Sequence, residues 1–278
     1  MPNIKSMQIS KLNQSSSISV LLRHAPIPYI ESKALLKCIL CYSDAKLISN
    51  DNQLLSKQNY NQFIKLVNLR IEGVPLQYLI GSCEFYSHKF KVNKHTLIPR
   101  EETELLVDQV LHYAKHKVLD LGTGSGCIAI SVKLANPKLN VTAVDKSKRA
   151  LDVASFNAND LNAKINFIQS NWFSKVIDKY DVIVSNPPYI KSGDPHLKDL
   201  AHEPIMALTD NQDGLSDYRK IISQATKFLQ PNGYLILEHG YDQADEITEY
   251  LKQYNFTNIK SIFDLSGHNR IKIATHCL

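Results

Sequence analysis

Glycine, proline, tryptophan and cysteine are all scarce in this sequence, and most of these scarcities exclude a class of protein. Ten Gly and 11 Pro among 278 residues, with no repeat, exclude a collagen-like chain, and 44% hydrophobic residues exclude a disordered one. The five cysteines are odd in number and widely spaced, so we expect a reducing compartment rather than a disulfide framework. No apolar run reaches the roughly 18–20 residues that a membrane helix needs, so we expect no membrane partner.

A strong charge of either sign is also absent, because 32 Lys and Arg face 27 Asp and Glu, for a net charge of +5. Such an excess permits a nucleic-acid partner without requiring one. Residues 1–30 contain no acidic side chain and six Ser, which weakly resembles a mitochondrial transit peptide. We interpret this stretch as a polar terminus and expect a cytoplasmic protein of bacterial type, with the mitochondrial matrix as the alternative.

Apolar spacing divides the chain into a small helical part and a larger α/β part. Residues 16–72 carry apolar side chains at helical spacing, residues 83–98 alternate as in a short hairpin, and residues 103–114 predict an amphipathic helix. We therefore predict a helical domain over residues 1–80, a β-hairpin linker over 81–100 and an α/β domain over 101–278.

From Lys117 onward, short apolar strands alternate with helices, which predicts a parallel sheet covered by helices on both faces. In such sheets ligands bind beyond the carboxyl ends of the strands. The predicted strands are 117–121, 140–144, 165–169, 180–185 and 233–238, with a final pair at 258–264 and 270–276. The predicted helices are 125–135, 148–159, 214–229 and 242–253.

The first candidate site residues form a glycine-rich loop after the first of these strands. The loop reads Gly122-Thr123-Gly124-Ser125-Gly126 and holds three of the ten glycines. Glycine allows a tight turn and a close approach of a ligand to a helix N-terminus. Counted from Gly124, with Ala129 in the last place, the loop also fits the dinucleotide fingerprint, so a nicotinamide ligand remains an alternative.

Two further candidates follow the next two strands. Asp145 ends the second strand, where a carboxylate about 20 residues after such a loop can accept hydrogen bonds from both hydroxyls of a ribose. Trp172, the only tryptophan, follows the third strand. Its flat face could stack on a purine or could simply belong to the core. The pattern favours a ligand that contains a nucleoside.

The most specific motif is Asn186-Pro187-Pro188-Tyr189, after the strand at 180–185. Its two prolines fix an extended loop and remove two backbone donors, which leaves the Asn186 side-chain oxygen and nearby carbonyls as acceptors. Two in-plane acceptors suit a planar NH₂ group, and Tyr189 offers a face for it. Because no metal-ligand spacing competes, we expect no metal and interpret Cys38-x-x-Cys41 as packing rather than a zinc site.

These motifs resemble those of class I S-adenosylmethionine-dependent methyltransferases that methylate a planar NH₂ nitrogen. From about residue 70 the chain resembles more closely the release factor glutamine methyltransferases, the PrmC/HemK family. The matching stretches are collinear: Pro75-Leu76-Gln77-Tyr78-Leu79-Ile80-Gly81, Glu84-Phe85-Tyr86, Leu97-Ile98-Pro99-Arg100, Val118 through Ile130, Val184 through Ile190, Glu203-Pro204, Asp213-Gly214-Leu215, Tyr218-Arg219, and Asp264 with Gly267 and Arg270.

Two positions depart from the family's pattern. Glu101 stands where the family commonly has proline, and Asn171 stands where it usually has Asp before the tryptophan. Asn171 can still accept a hydrogen bond from an exocyclic amine but brings no charge. The retained Glu102-Thr103-Glu104 points away from the sister group that methylates a glutamine of a ribosomal protein.

The resemblance implies a class I (Rossmann-like) fold, with a seven-stranded sheet preceded by a helical domain and a β-hairpin linker. It implies S-adenosyl-L-methionine as the cofactor, leaving S-adenosyl-L-homocysteine, and methyl transfer to the amide nitrogen N5 of the glutamine in the Gly-Gly-Gln motif of peptide chain release factors. The catalytic residues would be Asn186, Pro187 and Tyr189. The substrate amide would contact Asn186, Pro187, Pro188 and Tyr189. The cofactor would contact Gly122, Thr123, Gly124, Ser125, Gly126, Asp145, Trp172 and Asn186.

Three alternatives to this reaction remain besides a dehydrogenase: N6-adenine methylation of DNA, N5 methylation of a ribosomal protein, and S-adenosylmethionine binding without catalysis. Against DNA, Ile190 to Gly214 leaves only 25 residues for target recognition, and base flipping favours a strongly basic face. We expect a monomer that binds release factors through its helical domain and does not bind DNA directly.

Overall fold

The computed structural model describes residues 12–276, and the chain divides into two compact units after Gly81. In the described residues the first unit is helical. Its helices are α1 (Ile18–His24), α2 (Tyr29–Leu40), α3 (Asp44–Ser49), α4 (Lys57–Ile71) and α5 (Leu76–Ile80). Within residues 12–276, no helix is both long and apolar enough to cross a bilayer.

Prolines and serines set where the helices of the first unit begin. Pro28 and Pro75 directly precede α2 and α5, where a residue without an N–H group costs no helical hydrogen bond. Ser43 and Ser56 cap α3 and α4, since each hydroxyl accepts from a backbone N–H in the first turn. The apolar faces then form one core, with Leu21, Leu35, Leu36, Phe63 and Val67 fully buried.

The second unit begins with a hairpin of two short strands, β1 (Ser82–Phe85) and β2 (His88–Lys91). Asn157 joins this hairpin to the rest of the unit. Its Oδ1 accepts from the Lys91 N–H at 2.8 Å, and its Nδ2 donates to the carbonyls of Lys91 and Ser125. The hairpin predicted as a linker therefore lies within the second unit.

After the hairpin, strands and helices alternate much as the sequence predicts. The helices are α6 (Glu104–Tyr113), α7 (Cys127–Ala135), α8 (Lys148–Asp160), α9 (Ser216–Phe228) and α10 (Ala244–Gln253). The strands are β3 (Lys117–Leu121), β4 (Asn140–Asp145), β5 (Asn166–Gln169), β6 (Tyr180–Ser185), β7 (Leu229–Glu238), β8 (Phe256–Phe263) and β9 (Asn269–His276). Short 3₁₀ turns cover Glu101–Thr103, Pro195–Lys198 and Ile205–Ala207.

The seven strands form one sheet in the order β5-β4-β3-β6-β7-β9-β8. The five strands from β5 to β7 are parallel, and β9 pairs antiparallel with both β7 and β8. The predicted class I methyltransferase fold is therefore confirmed. The largest difference from the predicted bounds is in β7, which begins at Leu229, opposite Tyr180, before a register shift near Gly233.

Alternate residues along the strands feed two cores on opposite faces of the sheet. Val118, Val182 and Val184 pack in one core with α6 and α7. Leu119 and Ile183 pack in the other, with α9 and α10. Both faces are thus covered, and the carboxyl edge of the parallel strands remains for a site.

Candidate active site

A cavity of about 290 Å³ lies at the carboxyl edge of the sheet, where β3, β4, β5 and β6 end. Ligand pockets in proteins begin at about 300 Å³, so this cavity has the size of a small-molecule site. Its wall includes predicted site residues from four consecutive strand ends: Gly122, Gly124, Asp145, Trp172, Asn186 and Pro188. Residues 95–97 and parts of 204–211 complete the wall.

The glycine-rich loop turns back onto the neighbouring strand. The N–H groups of Gly122 and Thr123 both donate to the Val144 carbonyl at 2.9 Å. Gly122, Gly124 and Gly126 have φ of 74°, 56° and 83°, in the left-handed region that favours glycine. A Cβ on Gly124 would meet no atom within 4 Å, so the loop presents bare backbone there.

Asp145 turns its carboxylate towards this loop from the end of β4. Its Oδ2 accepts from the Gly124 N–H at 2.9 Å, and its Oδ1 accepts from the Ser147 N–H at 2.8 Å. Burial raises the pKa of Asp145, and these backbone donors oppose the rise. The Lys146 N–H is a third backbone donor to this carboxylate, and since each of its oxygens has about two acceptor positions, one position remains for a hydroxyl of a ligand.

Three predicted residues of the loop face inward rather than into the cavity. The Thr123 hydroxyl donates to Oδ2 of the buried Asp120 at 2.6 Å, and Ser125 is also buried. A Cβ on Gly126 would fall 2.8 Å from Cδ1 of Ile130, because α7 packs closely as it begins. Their contact with a ligand remains a prediction, and their observed role is to shape the loop.

Trp172 belongs both to the core and to the cavity wall. A Cβ on Gly122 would lie 3.4 Å from the Trp172 ring, so the indole covers the start of the glycine-rich loop. The indole Nε1 donates to Asp217 Oδ1 at 3.3 Å, which fixes the orientation of the ring. Stacking of this ring on a purine remains a prediction.

Asn186 follows β6 and lines the cavity with Pro188. Its Nδ2 donates to Thr103 Oγ1 at 3.3 Å, so the amide nitrogen turns towards the protein. This arrangement leaves Oδ1 as the acceptor that the amide offers on its other side. Pro187 is buried and Tyr189 is half-buried, and burial raises the pKa of Tyr189 to about 12. Tyr189 is therefore a neutral phenol at physiological pH and not a base.

Glu238, at the end of β7, lies behind Asn186 and was missed by the sequence analysis. Its side chain is buried, close to the Thr103 hydroxyl and the Asn186 amide. Among the described residues, its Oε2 has no hydrogen-bond partner. Burial raises the pKa of Glu238 to about 7, a rise opposed by the Thr103 hydroxyl and by Arg270. The only sequence signal was its position at the carboxyl end of a strand.

Gln243 and Gly214 hold the backbone of the Asn-Pro-Pro-Tyr motif. The Gln243 amide Nε2 donates to the Tyr189 carbonyl at 3.0 Å and to the Gly214 carbonyl at 3.1 Å. Gly214 has a φ of 78°, and a Cβ there would fall 2.4 Å from the Tyr189 carbonyl oxygen. The motif can occupy its position only because residue 214 has no side chain.

We expect Gly214→Ala to displace this motif and lower kcat by roughly tenfold or more, besides costing about 1–3 kcal/mol of stability. Gly193→Ala is the matched control, since Gly193 has a φ of 81° but open space around a Cβ. It should show backbone strain without loss of kcat. Thermal unfolding and steady-state kinetics of both variants would measure the difference. Equal kcat in the two variants would contradict the positional role of Gly214.

A second buried carboxylate holds the cavity wall formed by residues 95–97. Glu203 accepts from the Ile98 N–H at 3.0 Å and from Arg100 Nη2 at 2.5 Å. The Glu203 carboxylate is almost fully buried, so loss of Arg100 would leave an unpaired charge there. Both residues belong to stretches of the family resemblance, but the sequence alone assigned them no role.

The interpretation of Cys38 and Cys41 as packing residues is wrong. Both are exposed, because α2 turns Leu35 and Leu36 inward and Cys41, directly after the helix, has a left-handed conformation. Within residues 12–276, no three His, Cys, Asp or Glu side chains lie close enough to hold a metal ion.

Two family models match the chain. The PrmC N-terminal domain covers residues 16–81, and the methyltransferase small domain covers residues 101–211. A release factor glutamine methyltransferase of Neisseria gonorrhoeae is 38% identical over 257 residues, which span 90% of this chain and 94% of that protein. Another, of Bordetella pertussis, is 40% identical over 259 residues, or 90% of this chain and 96% of that one.

A solved structure of a methyltransferase from Pyrococcus furiosus is similar in fold. It aligns with a TM-score of 0.54 and 16% sequence identity over 68% of this chain and 89% of its own. At that identity the likeness concerns the fold alone, and it agrees with the sheet order described above.

Proposed function

The chain belongs to the release factor glutamine methyltransferases, and from this premise we propose that it methylates the amide nitrogen N5 of the glutamine in the Gly-Gly-Gln motif of a peptide chain release factor. The observation that carries the proposal is the meeting of two motifs at one cavity. The glycine-rich loop with Asp145 forms one side, and Asn186 with Pro188 forms the other. A methyl donor and an NH₂ acceptor bound there would lie next to each other.

S-Adenosyl-L-methionine fits the first side of the cavity. The bare backbone at Gly124 lets a ligand come close, and Asp145 retains an acceptor position for a ribose hydroxyl. Trp172 offers an aromatic edge or face beside them. When bound, the cofactor supplies an electrophilic methyl group on a positively charged sulfur.

We expect Asp145→Ala to weaken S-adenosylmethionine binding by about 1–3 kcal/mol, because a ribose hydroxyl of the ligand would lose its carboxyl acceptor. Isothermal titration calorimetry would measure the change. Asp178→Ala is the control, since Asp178 is an exposed carboxylate outside the cavity wall. Unchanged affinity in Asp145→Ala, or tight NAD binding by the unmodified protein, would refute the cofactor assignment.

Asn186 would position the glutamine amide. An amide nitrogen is a weak nucleophile because its lone pair is delocalised, so alignment with the methyl group matters more than binding alone. Alignment of reactants can contribute roughly 7–11 kcal/mol of barrier reduction. The Asn186 Oδ1 and the Pro187 carbonyl would each accept one N–H of the substrate, which fixes the plane of its NH₂ group.

The same acceptors would stabilise the transfer itself. Positive charge develops on the nitrogen as the new bond forms, and an acceptor oxygen interacts more strongly with a charged donor. Tyr189 remains neutral, because its pKa is about 12, so it would contribute a face rather than take a proton. The proton would leave the methylated nitrogen for water.

The helical unit would bind the release factor. One glutamine side chain offers too little surface to distinguish a release factor from other proteins, so most of the contact area must lie elsewhere. This unit has its own core and exposes Tyr29, Ile30, Ile48 and Leu54. A partner protein that covers these side chains would remove apolar area from water, which favours binding.

The reaction is tested by mass spectrometry of a release factor after incubation with the protein and S-adenosylmethionine. We expect one added methyl group on the peptide that contains Gly-Gly-Gln. A release factor with Ala in place of that glutamine is the control and should gain none. Methylation of duplex DNA or of a ribosomal protein in place of the factor would overturn the proposal.

A further inference from the structure

We infer that Glu238 is a positioning residue that, directly and with Thr103, determines which end of the Asn186 amide faces the cavity. This inference rests on the proposed function, since it assigns the orientation of the group that would hold the substrate amide. Glu238 is buried at the carboxyl end of β7, and the mechanism above makes no use of it.

The argument follows from the direction of hydrogen bonds. A carboxylate only accepts, and the Thr103 hydroxyl has a single hydrogen. The buried Glu238 carboxylate lies beside both the Thr103 hydroxyl and the Asn186 amide. When Thr103 donates its hydrogen to this carboxylate, its oxygen can only accept from Asn186, and the carboxylate itself can accept only from the nitrogen end of that amide. The Asn186 nitrogen must then face Thr103, as observed at 3.3 Å, and the Asn186 oxygen must face the other way. An amide rotated by 180° would place two acceptors against each other.

Protonation of Glu238 removes this constraint. A carboxylic acid can donate to Thr103, so the threonine hydrogen becomes free to donate to the Asn186 oxygen. Both orientations of the amide are then satisfied, and one of them presents an N–H donor to the substrate NH₂. The carboxylate is thus the form that keeps the acceptor in place.

The charged and titratable groups around Glu238 come from four elements. Arg270 on β9 favours the carboxylate, and Glu102 in the 3₁₀ turn disfavours it. Tyr189 and Tyr218 both face Glu238, and burial raises the pKa of each, so both remain neutral. The Tyr218 hydroxyl donates to the Glu238 backbone carbonyl at 2.7 Å. The pKa of Glu238 is about 7, so its carboxyl group gains or loses its proton within the pH range of ordinary methylation assays.

The first experiment compares Glu238→Gln with the unmodified protein in methylation of the release factor. A glutamine keeps the volume but does not dictate the direction of the Thr103 hydroxyl. At pH 8 we expect kcat to fall roughly tenfold or more, because the variant loses a hydrogen bond to a charged group. KM and the affinity for S-adenosylmethionine should not change. In the unmodified protein kcat should rise as pH passes about 7, and Glu238→Gln should lack this rise.

Thermal unfolding would show whether the Glu238→Gln variant is folded. A carboxyl group with a raised pKa in the folded state destabilises the fold as pH rises from its unfolded value to its folded one. Glu238→Gln removes that penalty, so we expect its Tm at pH 8 to be higher than that of the unmodified protein. Thr103→Ser should keep near-normal kcat, and Thr103→Val should lose kcat by a smaller factor than Glu238→Gln, because the direct contact between Glu238 and Asn186 remains.

A second readout needs no release factor and so distinguishes this inference from the proposed function. With ¹⁵N-labelled asparagine, the side-chain NH₂ signal of Asn186 is identified by its absence in Asn186→Ala. We expect this signal to shift with pH around 7 in the unmodified protein and not in Glu238→Gln. A signal insensitive to pH, or a Glu238→Gln variant with unchanged kcat and pH profile, would overturn the inference. Failure of the unmodified protein to methylate any release factor would overturn only the proposed function.

Discussion

Replacement of Asn186 by Ala is expected to lower kcat by roughly 10²–10³-fold, the range observed when one preorganised hydrogen-bonding group is removed from a transition state. The variant loses the Oδ1 acceptor beside the cavity, while the glycine-rich loop and Asp145 keep their hydrogen bonds. Affinity for S-adenosylmethionine should therefore fall far less than kcat. Single-turnover kinetics on a release factor, with calorimetry of cofactor binding, would separate the two effects.

Asn171→Ala is the matched control for this variant. Asn171 also lines the cavity and is exposed. Its replacement by Ala removes the same side-chain amide, but on the cofactor side of the cavity. Its effect should appear in cofactor affinity and not in kcat. If Asn186→Ala retains near-normal kcat, or if both variants lose kcat equally, the positioning mechanism fails.

Removal of residues 1–81 is expected to abolish methylation of an intact release factor but not methyl transfer to a short peptide. The second unit starts at Ser82 and has two cores of its own, so the fragment should fold and bind S-adenosylmethionine. A short Gly-Gly-Gln peptide offers no distant surface to bind. The fragment and the full chain should therefore methylate this peptide at similar low efficiency, whereas kcat/KM for the intact factor should differ by several orders of magnitude.

Point variants locate the binding surface without the loss of a whole unit. Ile30→Ser removes an apolar side chain that is 74% exposed on the helical unit, and Ile177→Ser does the same for one that is 92% exposed on the other unit. We expect only the first to raise KM for the intact factor. A truncated protein that methylates the intact factor at full efficiency would show that the helical unit is not the binding surface.

The sequence predicted those parts of the site that depend on local pattern. The glycine-rich loop, Asp145 and Asn186 each follow an apolar strand, and parallel strands bring their carboxyl ends to one edge. Strand bounds at 117–121 and 180–185 agree with β3 and β6. The pairing of β7 shifts register near Gly233, and the local pattern predicted only the regular part of this strand, residues 233–238.

The parts that the sequence did not predict depend on contacts between distant residues. Thr103 meets Asn186 across 83 positions of sequence, and Glu203 meets Ile98 across 105. Nothing in the pattern around Thr103 or Glu238 distinguishes them from a helix start and a strand end. Gly214 was part of the family resemblance, but the reason for glycine there is the Tyr189 carbonyl 2.4 Å from its would-be Cβ.

The sheet order also affects how the protein is made. The strand formed last, β9, lies between β7 and β8, and β8 has no other neighbour in the described sheet. During synthesis β7 and β8 therefore leave the ribosome with open edges, which are sites of aggregation until β9 arrives. A chain that stops before Asn269 would leave β8 unpaired and would also remove Ile271, the partner of Glu238 in the ladder. We expect such products to be insoluble, although every predicted ligand-binding residue would already be present.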